Sequence, residues 1–272
     1  MLGLNASQLR AARQDLRSVL SEASFIVPEW FGASTWVQHA PFAFFLIEAA
    51  KPRIYVELGS HHGYSFFVVC QAVKAYQLAT QCYAVDTWQG DEHAGFYDKA
   101  VFDAVDAHRA FHYADFAHLK RMIFDDALSH FEDGSIDVLH IDGRHFYEDV
   151  RHDFESWLPK MSESGIILLH DTQVRDKNFG VYRLWEEISS RYPTFEFHHG
   201  HGLGIAAVGQ TIPDELNELF NTKQGSEAAS LTRNAYERLG KSLEINAKRA
   251  KKARKEKARS PIMRFLLGFI SR

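Results

Sequence analysis

Acidic residues and histidines lie at two places in the sequence where short apolar segments end. Asp142 follows the apolar segment Ile136–Ile141, and His145 lies three residues further on. His170 and Asp171 follow the next such segment and close the letters GIILLHD. Two carboxylates beside a histidine suit a divalent cation and a general base, and oxygen ligands are those that Mg²⁺ prefers. These residues therefore form a candidate catalytic site.

The members of this group differ in their predicted roles. Asp142 and Asp171 are the predicted Mg²⁺ ligands, and His145 is the predicted base. His170 precedes Asp171 directly, and neighbours on a strand point to opposite faces, so Asp171 is the better ligand and His170 is assigned to a supporting position at the metal. Two plainer interpretations stay open: Asp142 as a turn residue or helix cap, and His145 as a residue that only begins a helix.

A glycine-containing loop lies earlier in the chain, in the letters VELGSHHGYS of residues 56–65. Gly59 and Gly63 allow a tight turn and a close approach to a ligand, and a following helix would offer free N–H groups. Asp86 follows Glu57 by 29 residues, at the end of CYAVD, where a carboxylate can accept both hydroxyls of a ribose. The spacing differs from the G-x-G-x-x-G of pyrophosphate binders. It favours a nucleoside ligand such as S-adenosylmethionine, with an ordinary strand-to-helix turn as the alternative.

Strands and helices alternate through this region, which predicts a parallel sheet. The fold class is α/β, with a doubly wound, Rossmann-like sheet that ends in an antiparallel hairpin at residues 194–209. Ligands of such sheets bind at the carboxyl ends of the strands. The predicted strands are Arg53–Leu58, Gln81–Val85, Met122–Phe124, Ile136–Ile141 and Ile166–Leu169. The predicted helices are Tyr64–Tyr76, Tyr147–Leu158 and Val181–Arg191.

The chain divides into three predicted parts. Residues 1–50 form an extension with a helix at 7–23 and an aromatic-rich segment after it. Residues 51–210 carry the alternating pattern. Residues 211–272 form a basic helical tail with a short amphipathic end. The N-terminal helix and the aromatic segment also offer surfaces for a homodimer.

Composition excludes several classes of protein. The chain has 272 residues, of which 46% are hydrophobic and 24% are charged, as in a folded soluble protein. It contains no apolar run long enough to span a membrane, and charged residues replace the apolar core of a signal peptide near the N-terminus. Two cysteines fit a reducing compartment. These features predict a cytoplasmic protein.

Charge is distributed unevenly along the chain. Residues 241–272 hold 11 Lys and Arg against 2 Asp and Glu, whereas the whole chain has a net charge of −4. The tail can be a solvated helix face, or a peripheral contact with anionic lipids through the apolar residues 261–270 at the inner face of a membrane. A nucleic-acid arm is disfavoured because the Lys/Arg run has no interleaved aromatics and the body is acidic. No nucleic-acid partner is predicted.

The motifs VELGSHHGYS, YAVDTWQGDEHAGFY and DVLHIDGRHFYEDV, together with GIILLHDT, resemble the class I S-adenosylmethionine-dependent methyltransferases. The nearest branch is the bacterial methyltransferase domain 24 group, which is associated with glycan biosynthesis. The chain is also similar to macrolide sugar O-methyltransferases, in which an Asp-Gly-x-His motif supplies a metal-binding aspartate and a histidine base. The resemblance covers about residues 50–210.

The resemblance assigns further roles residue by residue. The residues that it places against the methionine and ribose of the cofactor are Glu57, Gly59, Ser60 and Gly63. It places Asp142 near the cofactor as well. It gives Asp86 the ribose hydroxyls, Thr87 and Trp88 the surroundings of the adenine, and Asp126 the adenine edge. Asp142 and Asp171 would bind Mg²⁺, and His145 would deprotonate the acceptor. Arg144 departs from the usual pattern, since an arginine at this position opposes a cation or binds an acidic substrate.

The resulting hypothesis is an O-methyltransferase that acts on a sugar or surface-glycan hydroxyl, with Mg²⁺ assistance. The alternative is a catalytically silent cofactor-binding or scaffold domain that partners a glycosyltransferase or a polysaccharide-assembly complex. A nucleotide-dependent oxidoreductase is disfavoured because the glycine loop lacks the dinucleotide spacing.

Two weaker signals accompany the main motifs. His198, His199 and His201 resemble a metal cluster, but the predicted hairpin would hold them away from the strand ends, so a solvated or packing role is favoured. The polar, glycine-containing segment 88–97 is either a lid over the cofactor or a long loop.

Overall fold

A computed structural model describes residues 19–32, 34–91, 95–176 and 178–259. Most of the helix predicted for residues 7–23, and the apolar segment 261–270, lie outside this part of the chain. Among the described residues, no helix is both long enough and apolar enough to cross a membrane.

The described chain is built around a mixed sheet of seven strands in the order β5-β2-β1-β6-β7-β9-β8. Five strands are parallel, and β9 runs antiparallel between β7 and β8. This is the predicted α/β class, with a Rossmann-like sheet that ends in an antiparallel hairpin. The strands are β1 (Ile54–Leu58), β2 (Gln81–Asp86), β3 (Gly90–Asp91), β4 (Gly95–Phe96), β5 (Ala117–Arg121), β6 (Ile136–Ile141), β7 (Met161–His170), β8 (Thr194–Phe197) and β9 (Leu203–Ala207), of which β3 and β4 form a separate pair.

Helices cover both faces of this sheet, so its central strands are buried on both sides. Every residue of β6 is buried, although it carries Asp137 and His140. The helices are α1 (Ala40–Ala50), α2 (Tyr64–Ala75), α3 (Lys99–His112), α4 (Phe124–Ala127), α5 (Tyr147–Trp157), α6 (Val181–Ser189), α7 (Asn217–Asn221) and α8 (Glu227–Arg259). Short 3₁₀ segments lie at Glu22–Phe25, Trp36–His39, Leu128–His130, Leu158–Lys160 and Asp214–Leu216.

The strand predicted at Met122–Phe124 is wrong in position. The strand is β5, which ends at Arg121, and Phe124 instead begins the short helix α4. β5 is an edge strand with the letters AHLKR, and only its first residue is buried. Because most of its side chains are polar, β5 lacks the apolar pattern of a strand, and the prediction fell on the apolar residues that follow it.

The two faces of the sheet carry separate apolar cores. On one face, α1 and α8 pack together, with the rings of Phe42 and Tyr236 5.5 Å apart, and both join the cluster that contains Phe66 of α2. On the other face, α5 and α6 bury Trp157 and Trp185. Helical segments from both ends of the described chain therefore share a core with the sheet.

Candidate active site

A cavity of about 730 Å³ lies at the carboxyl ends of the parallel strands. Its walls come from the segments that follow β1, β2, β5, β6 and β7, where open α/β sheets bind their ligands. This volume falls within the range of small-molecule sites, about 300–1,000 Å³. The glycine loop and the candidate catalytic residues share this one opening.

The glycine loop leaves β1 in a conformation that fits only a residue without a side chain. Gly59 has φ +86°, and a Cβ atom there would lie 2.2 Å from the carbonyl oxygen of Asp142. Its N–H donates to Val85 (2.9 Å), while the N–H of Asp142 donates to Leu58 (2.8 Å). The end of β1 is thereby tied to both neighbouring strands. Gly63 precedes α2 with φ +73° and does not itself line the cavity.

Glu57 holds this loop from below. Its side chain is fully buried and does not line the cavity. One carboxylate oxygen accepts from the Ser60 hydroxyl (2.6 Å), and the other accepts from the Tyr55 hydroxyl (2.8 Å) and lies 3.0 Å from Nδ1 of His140. Ser60 and Gly59 do line the cavity. Glu57 therefore shapes the wall that these two residues present.

Asp86 joins the end of β2 to the same loop. One of its oxygens accepts from the N–H groups of Ser60 and His61, both at 2.9 Å, and the other accepts from the N–H of Trp88 at 2.6 Å. Burial raises the pKa of Asp86, although these three backbone donors oppose the shift. Because the side chain also lines the cavity, Asp86 lies where the sequence places the ribose-binding acid.

The predicted adenine-side residues do not all reach the cavity. Thr87 lines it. The ring of Trp88 is instead buried beneath the loop, where its N–H donates to the carbonyl of His61 at 3.0 Å. Asp126 is exposed on α4 and is also absent from the lining. These two placements correct the sequence-based assignment.

Apolar residues form the wall that was assigned to Asp126. Ile123 and Phe124 line the cavity between β5 and α4. Sequence reasoning missed them because it treated Met122–Phe124 as a strand. The side chain of Ile123 is 53% exposed, which marks it as an unpartnered apolar surface at the opening.

The carboxylate and histidine cluster forms as predicted at the ends of β6 and β7. Asp142, His170 and Asp171 each offer a ligand atom, and these atoms all lie within 4.8 Å of one another. Nδ1 of His170 is 3.2 Å from Oδ1 of Asp142 and 3.5 Å from Oδ1 of Asp171. Asp171 adopts φ +63°, so the strand has ended and both neighbours can face the same group.

His145 completes the cluster from the loop that precedes α5. Its Nε2 atom lies 3.0 Å from Oδ2 of Asp171 and 3.6 Å from Oδ1 of Asp142. Phe179 stacks on the ring at 4.5 Å, and the carbonyl of His145 accepts from the N–H of Gly180 at 2.7 Å. These contacts fix the imidazole at the cavity wall.

Electrostatics in the cluster follow from burial and opposite charges. Burial alone would lower the pKa of His145 and His170, but the carboxylates of Asp142 and Asp171 outweigh it and raise these values to about 10 and about 9. Burial would raise the pKa of Asp142, yet the histidines hold it well below its ordinary value. The cluster therefore favours ionised carboxylates that face positive charge.

His201 is a site residue that the sequence analysis set aside. The turn between β8 and β9 brings it to the cavity, with Nδ1 3.2 Å from Oδ1 of Asp171. The antiparallel pairing of β7 with β9 places this turn beside the end of β7, and the N–H of Asp171 donates to Gly202 at 3.1 Å. His198 and His199 do not line the cavity.

Two further contributions complete the cavity rim. Ser34 and Thr35 line it from the segment before α1, which the sequence analysis assigned only in general terms to core or pocket wall. Arg144 also lines it, with Nε 3.4 Å from Oδ2 of Asp149. This part of the cavity rim is therefore lined by polar groups.

Residues 56–172 match the model of a family described as a methyltransferase domain. This part of the chain is therefore similar to a methyltransferase domain. Its matched residues begin on β1 and end just after β7, so they include the glycine loop, Asp86 and the cluster of Asp142 with His145. Ser34 and His201 reach the cavity from outside the matched residues.

Individual similar proteins match more of this chain than residues 56–172. The uncharacterized protein y4gI of Sinorhizobium fredii is 47% identical over 219 residues, which are 80% of this chain and 24% of y4gI. The chain thus spans about a quarter of the length of this curated relative. The cofactor-bound protein Rv0187 from MTB is 14% identical, with a TM-score of 0.49, over 78% of this chain and 93% of that one. The O-methyltransferase TomG from Streptomyces achromogenes, in complex with SAM, is 16% identical, with a TM-score of 0.47, over 77% and 92%.

Proposed function

We propose that this chain is an S-adenosylmethionine-dependent O-methyltransferase that acts on a hydroxyl group of a sugar or surface glycan, with the help of a divalent cation. The observation that carries the proposal is the single cavity shared by the glycine loop and the cluster of Asp142, His145 and Asp171. The loop suits a nucleoside-type methyl donor, and the cluster suits an acceptor that must lose a proton.

The donor side of the cavity consists of the loop and the two strand ends beside it. Gly59 and Ser60 provide the backbone that faces the cofactor, and Asp86 is assigned to the ribose hydroxyls. Thr87 lies beside Asp86, and the apolar side chains of Ile123 and Phe124 offer a surface for an adenine ring. Glu57 supports this side from behind.

The proposed reaction is an in-line displacement. The acceptor oxygen bonds to the methyl carbon of the sulfonium group, and the carbon–sulfur bond breaks with its electron pair left on sulfur. His145 is assigned to take the hydroxyl proton as a neutral imidazole, because a cation held by Asp142 and Asp171 would compete with its own proton and lower its pKa from about 10. The enzyme contributes mainly proximity and alignment of the two reacting groups.

A divalent cation fits the cluster because two buried or half-buried carboxylates and an imidazole nitrogen point at one another. Asp142 and Asp171 would hold it, with His170 beside them, and sequence analysis names Mg²⁺ for this role. Such a cation, when bound, lowers the pKa of a hydroxyl group. The carboxylates also orient His145 towards the same opening.

A hydroxyl acceptor is favoured because an amine or thiolate needs neither a base nor a cation to attack the methyl group. The polar rim of Ser34, Thr35 and His201 supports a sugar, which presents several hydroxyls. The assignment to a surface glycan, and a glycosyltransferase or polysaccharide-assembly partner, rest on the resemblance described above. A silent scaffold that only binds the cofactor is the second candidate.

Binding of S-adenosylhomocysteine tests the donor side by calorimetry. Wild type should bind at micromolar concentration, and Asp86→Ala should lose at least tenfold because the ribose hydroxyls and the loop lose their acceptor. Asp86→Asn, which keeps one oxygen, separates a lost ribose contact from a collapsed loop. Asp125→Ala changes an exposed carboxylate that does not line the cavity and serves as the control. Wild type that binds nothing contradicts the proposal.

Turnover separates the enzyme from the scaffold. Nucleotide sugars and glycan oligosaccharides are incubated with S-adenosylmethionine and Mg²⁺, and methylated products are detected by mass spectrometry. His145→Gln should lower the rate about 10²–10⁴-fold, as expected for the loss of a base. It should still bind S-adenosylhomocysteine. His198→Gln, at a histidine that does not line the cavity, should keep the wild-type rate. An unchanged rate in His145→Gln would remove His145 from the mechanism.

A further inference from the structure

The donor set at the ends of β6 and β7 includes a nitrogen as well as oxygens. The Nδ1 atom of His170 faces Asp142 Oδ1 at 3.2 Å and Asp171 Oδ1 at 3.5 Å. Ligands bound at about 2.0–2.1 Å to one ion are roughly 3.0 Å apart in an octahedron and 3.4 Å apart in a tetrahedron. The two separations that involve His170 are therefore close to the edges of such a coordination polyhedron.

The structure also fixes which nitrogen of His170 faces the carboxylates. Its Nε2 atom lies 3.1 Å from the carbonyl oxygen of Gly200. A carbonyl only accepts, so Nε2 carries the hydrogen and Nδ1 is left with the lone pair when the ring is neutral. A metal-bound histidine commonly donates its other N–H to a backbone carbonyl, which holds the ring and makes the ligating nitrogen more basic.

The same carbonyl is held in place from the other side. Nε2 of His39 lies 3.0 Å from the oxygen of Gly200, and His39 is fully buried. Because a carbonyl only accepts, the hydrogen on Nε2 of His39 points to Gly200 as well. His170 is itself buried, with 1% of its side chain exposed. A buried imidazole with a fixed orientation is a built part of the cluster.

We infer that the cluster of Asp142, His170 and Asp171 selects a divalent first-row transition-metal ion, of the series from Mn²⁺ to Zn²⁺, over Mg²⁺. Mg²⁺ takes oxygen ligands and gives up water reluctantly, whereas imidazole nitrogen suits the transition metals. The inference rests on the proposed function only for the role of the bound ion in catalysis, because ion binding itself is measured independently.

Metal affinity and spectroscopy test this inference on the full chain. Mn²⁺, Co²⁺ and Mg²⁺ are titrated separately by calorimetry, and the Mn²⁺ form is examined by electron spin echo spectroscopy for coupling to an imidazole nitrogen. Wild type should bind Mn²⁺ and Co²⁺ at least tenfold more tightly than Mg²⁺ and should show the nitrogen coupling. His170→Glu should lower Co²⁺ affinity by about 10–100-fold, remove the coupling and narrow the preference over Mg²⁺.

His198→Gln is the matched control, because it removes a histidine outside the cavity and should leave every affinity unchanged. The spectrum of wild type alone keeps the inference testable if His170→Glu does not fold. Equal or tighter binding of Mg²⁺, or bound Mn²⁺ without nitrogen coupling, overturns the inference. If the protein binds S-adenosylhomocysteine but none of the three ions, the metal inference is overturned and the proposed methyl transfer is not. If it binds an ion but not S-adenosylhomocysteine, only the proposed function is overturned.

Discussion

Gly59 sets the geometry of the cavity at the scale of a single residue. Its backbone lies against the carbonyl of Asp142, so the glycine loop and the end of β6 are in direct contact. The conformation and the close approach both require a residue without a side chain. The glycine loop and the cluster around Asp142 are therefore held at a fixed separation by this one position.

Gly59→Ala should destabilise the fold by about 2–4 kcal/mol, because the new methyl group would clash with backbone and the positive φ adds strain. Denaturant unfolding measures this loss. Gly134→Ala is the matched control, since Gly134 also has a positive φ (+72°) but an added Cβ would meet nothing within 4 Å. It should cost about 1 kcal/mol. Equal losses in the two variants would show that the close approach to Asp142 is unimportant.

Asp153 is a buried carboxyl group beneath the catalytic loop. Burial raises its pKa to about 7; His152 opposes the shift and Asp149 adds to it. A carboxyl with a raised pKa in the folded state favours the protonated form. The fold therefore loses stability as the pH rises from about 4, the unfolded value, to about 7.

Asp153→Asn should stabilise the protein by about 2–4 kcal/mol at pH 8, because each unit of pKa shift corresponds to about 1.4 kcal/mol. The gain should disappear below about pH 3, where the wild-type carboxyl is protonated in both states. Unfolding curves at several pH values measure the difference. Asp115→Asn, at an exposed position, should show no such dependence. A gain that is independent of pH would contradict the assigned cause.

Sequence reasoning identified Asp142, His145 and Asp171 because they follow apolar strands, and strand ends meet at one edge of a parallel sheet. It could not place Trp88, because the direction of its ring depends on a left-handed backbone (φ +52°) that no local pattern reveals. It set aside His201 for a similar reason. The return of β9 beside β7 brings that histidine to the site, and this pairing joins residues distant in sequence.

Secondary-structure elements were predictable where their burial was uniform. The buried strands β1 and β6 matched closely, because continuous apolar residues indicate a strand covered on both faces. The edge strand β5 did not, and helix α3 was missed because Val105 is its only buried residue. Elements at the border of the sheet carry mixed sequences, so their periodicity is weak.

Helix α8 holds the N-terminal segment through a buried tyrosine. The hydroxyl of Tyr236 donates to the carbonyl of Val19 at 2.7 Å and lies 3.2 Å from Oγ of Ser24. Tyr236→Phe should cost about 1–2 kcal/mol, because the carbonyl of Val19 would be left buried without this donor. Denaturant unfolding measures the change. Tyr182→Phe, at a half-buried position under Arg175, should have almost no effect, and a similar loss there would contradict the argument.

At the scale of the whole molecule, distant parts of the chain support one site. The side chain of Gln38 donates to Glu244 of α8 at 2.9 Å, and the next residue, His39, contacts Gly200. Gly200 in turn contacts His170. The catalytic cluster therefore depends on segments far outside residues 56–172, and the described protein is expected to respond to ligand as one unit.

S-adenosylhomocysteine at a hundred times its dissociation constant should stabilise the folded protein by about 2.7 kcal/mol. For a chain of this size, this corresponds to a rise in Tm of about 5–10 °C. Thermal unfolding followed by circular dichroism measures the shift. The same ligand concentration should move the Tm of Asp86→Ala much less. An equal shift in both proteins would mean that the ligand binds elsewhere.

The boundary of residues 56–172 has a consequence for exchange of parts between relatives. Recombination at residues 56 and 172 would transplant Gly59, Asp86 and Asp142 together, but it would leave Ser34 and His201 with the recipient. Under the proposed function, a hybrid made in this way inherits the surface for the methyl donor from one parent and part of the rim around the acceptor from the other. Changes in the flanking segments would then alter acceptor preference, while the residues assigned to the donor stay the same.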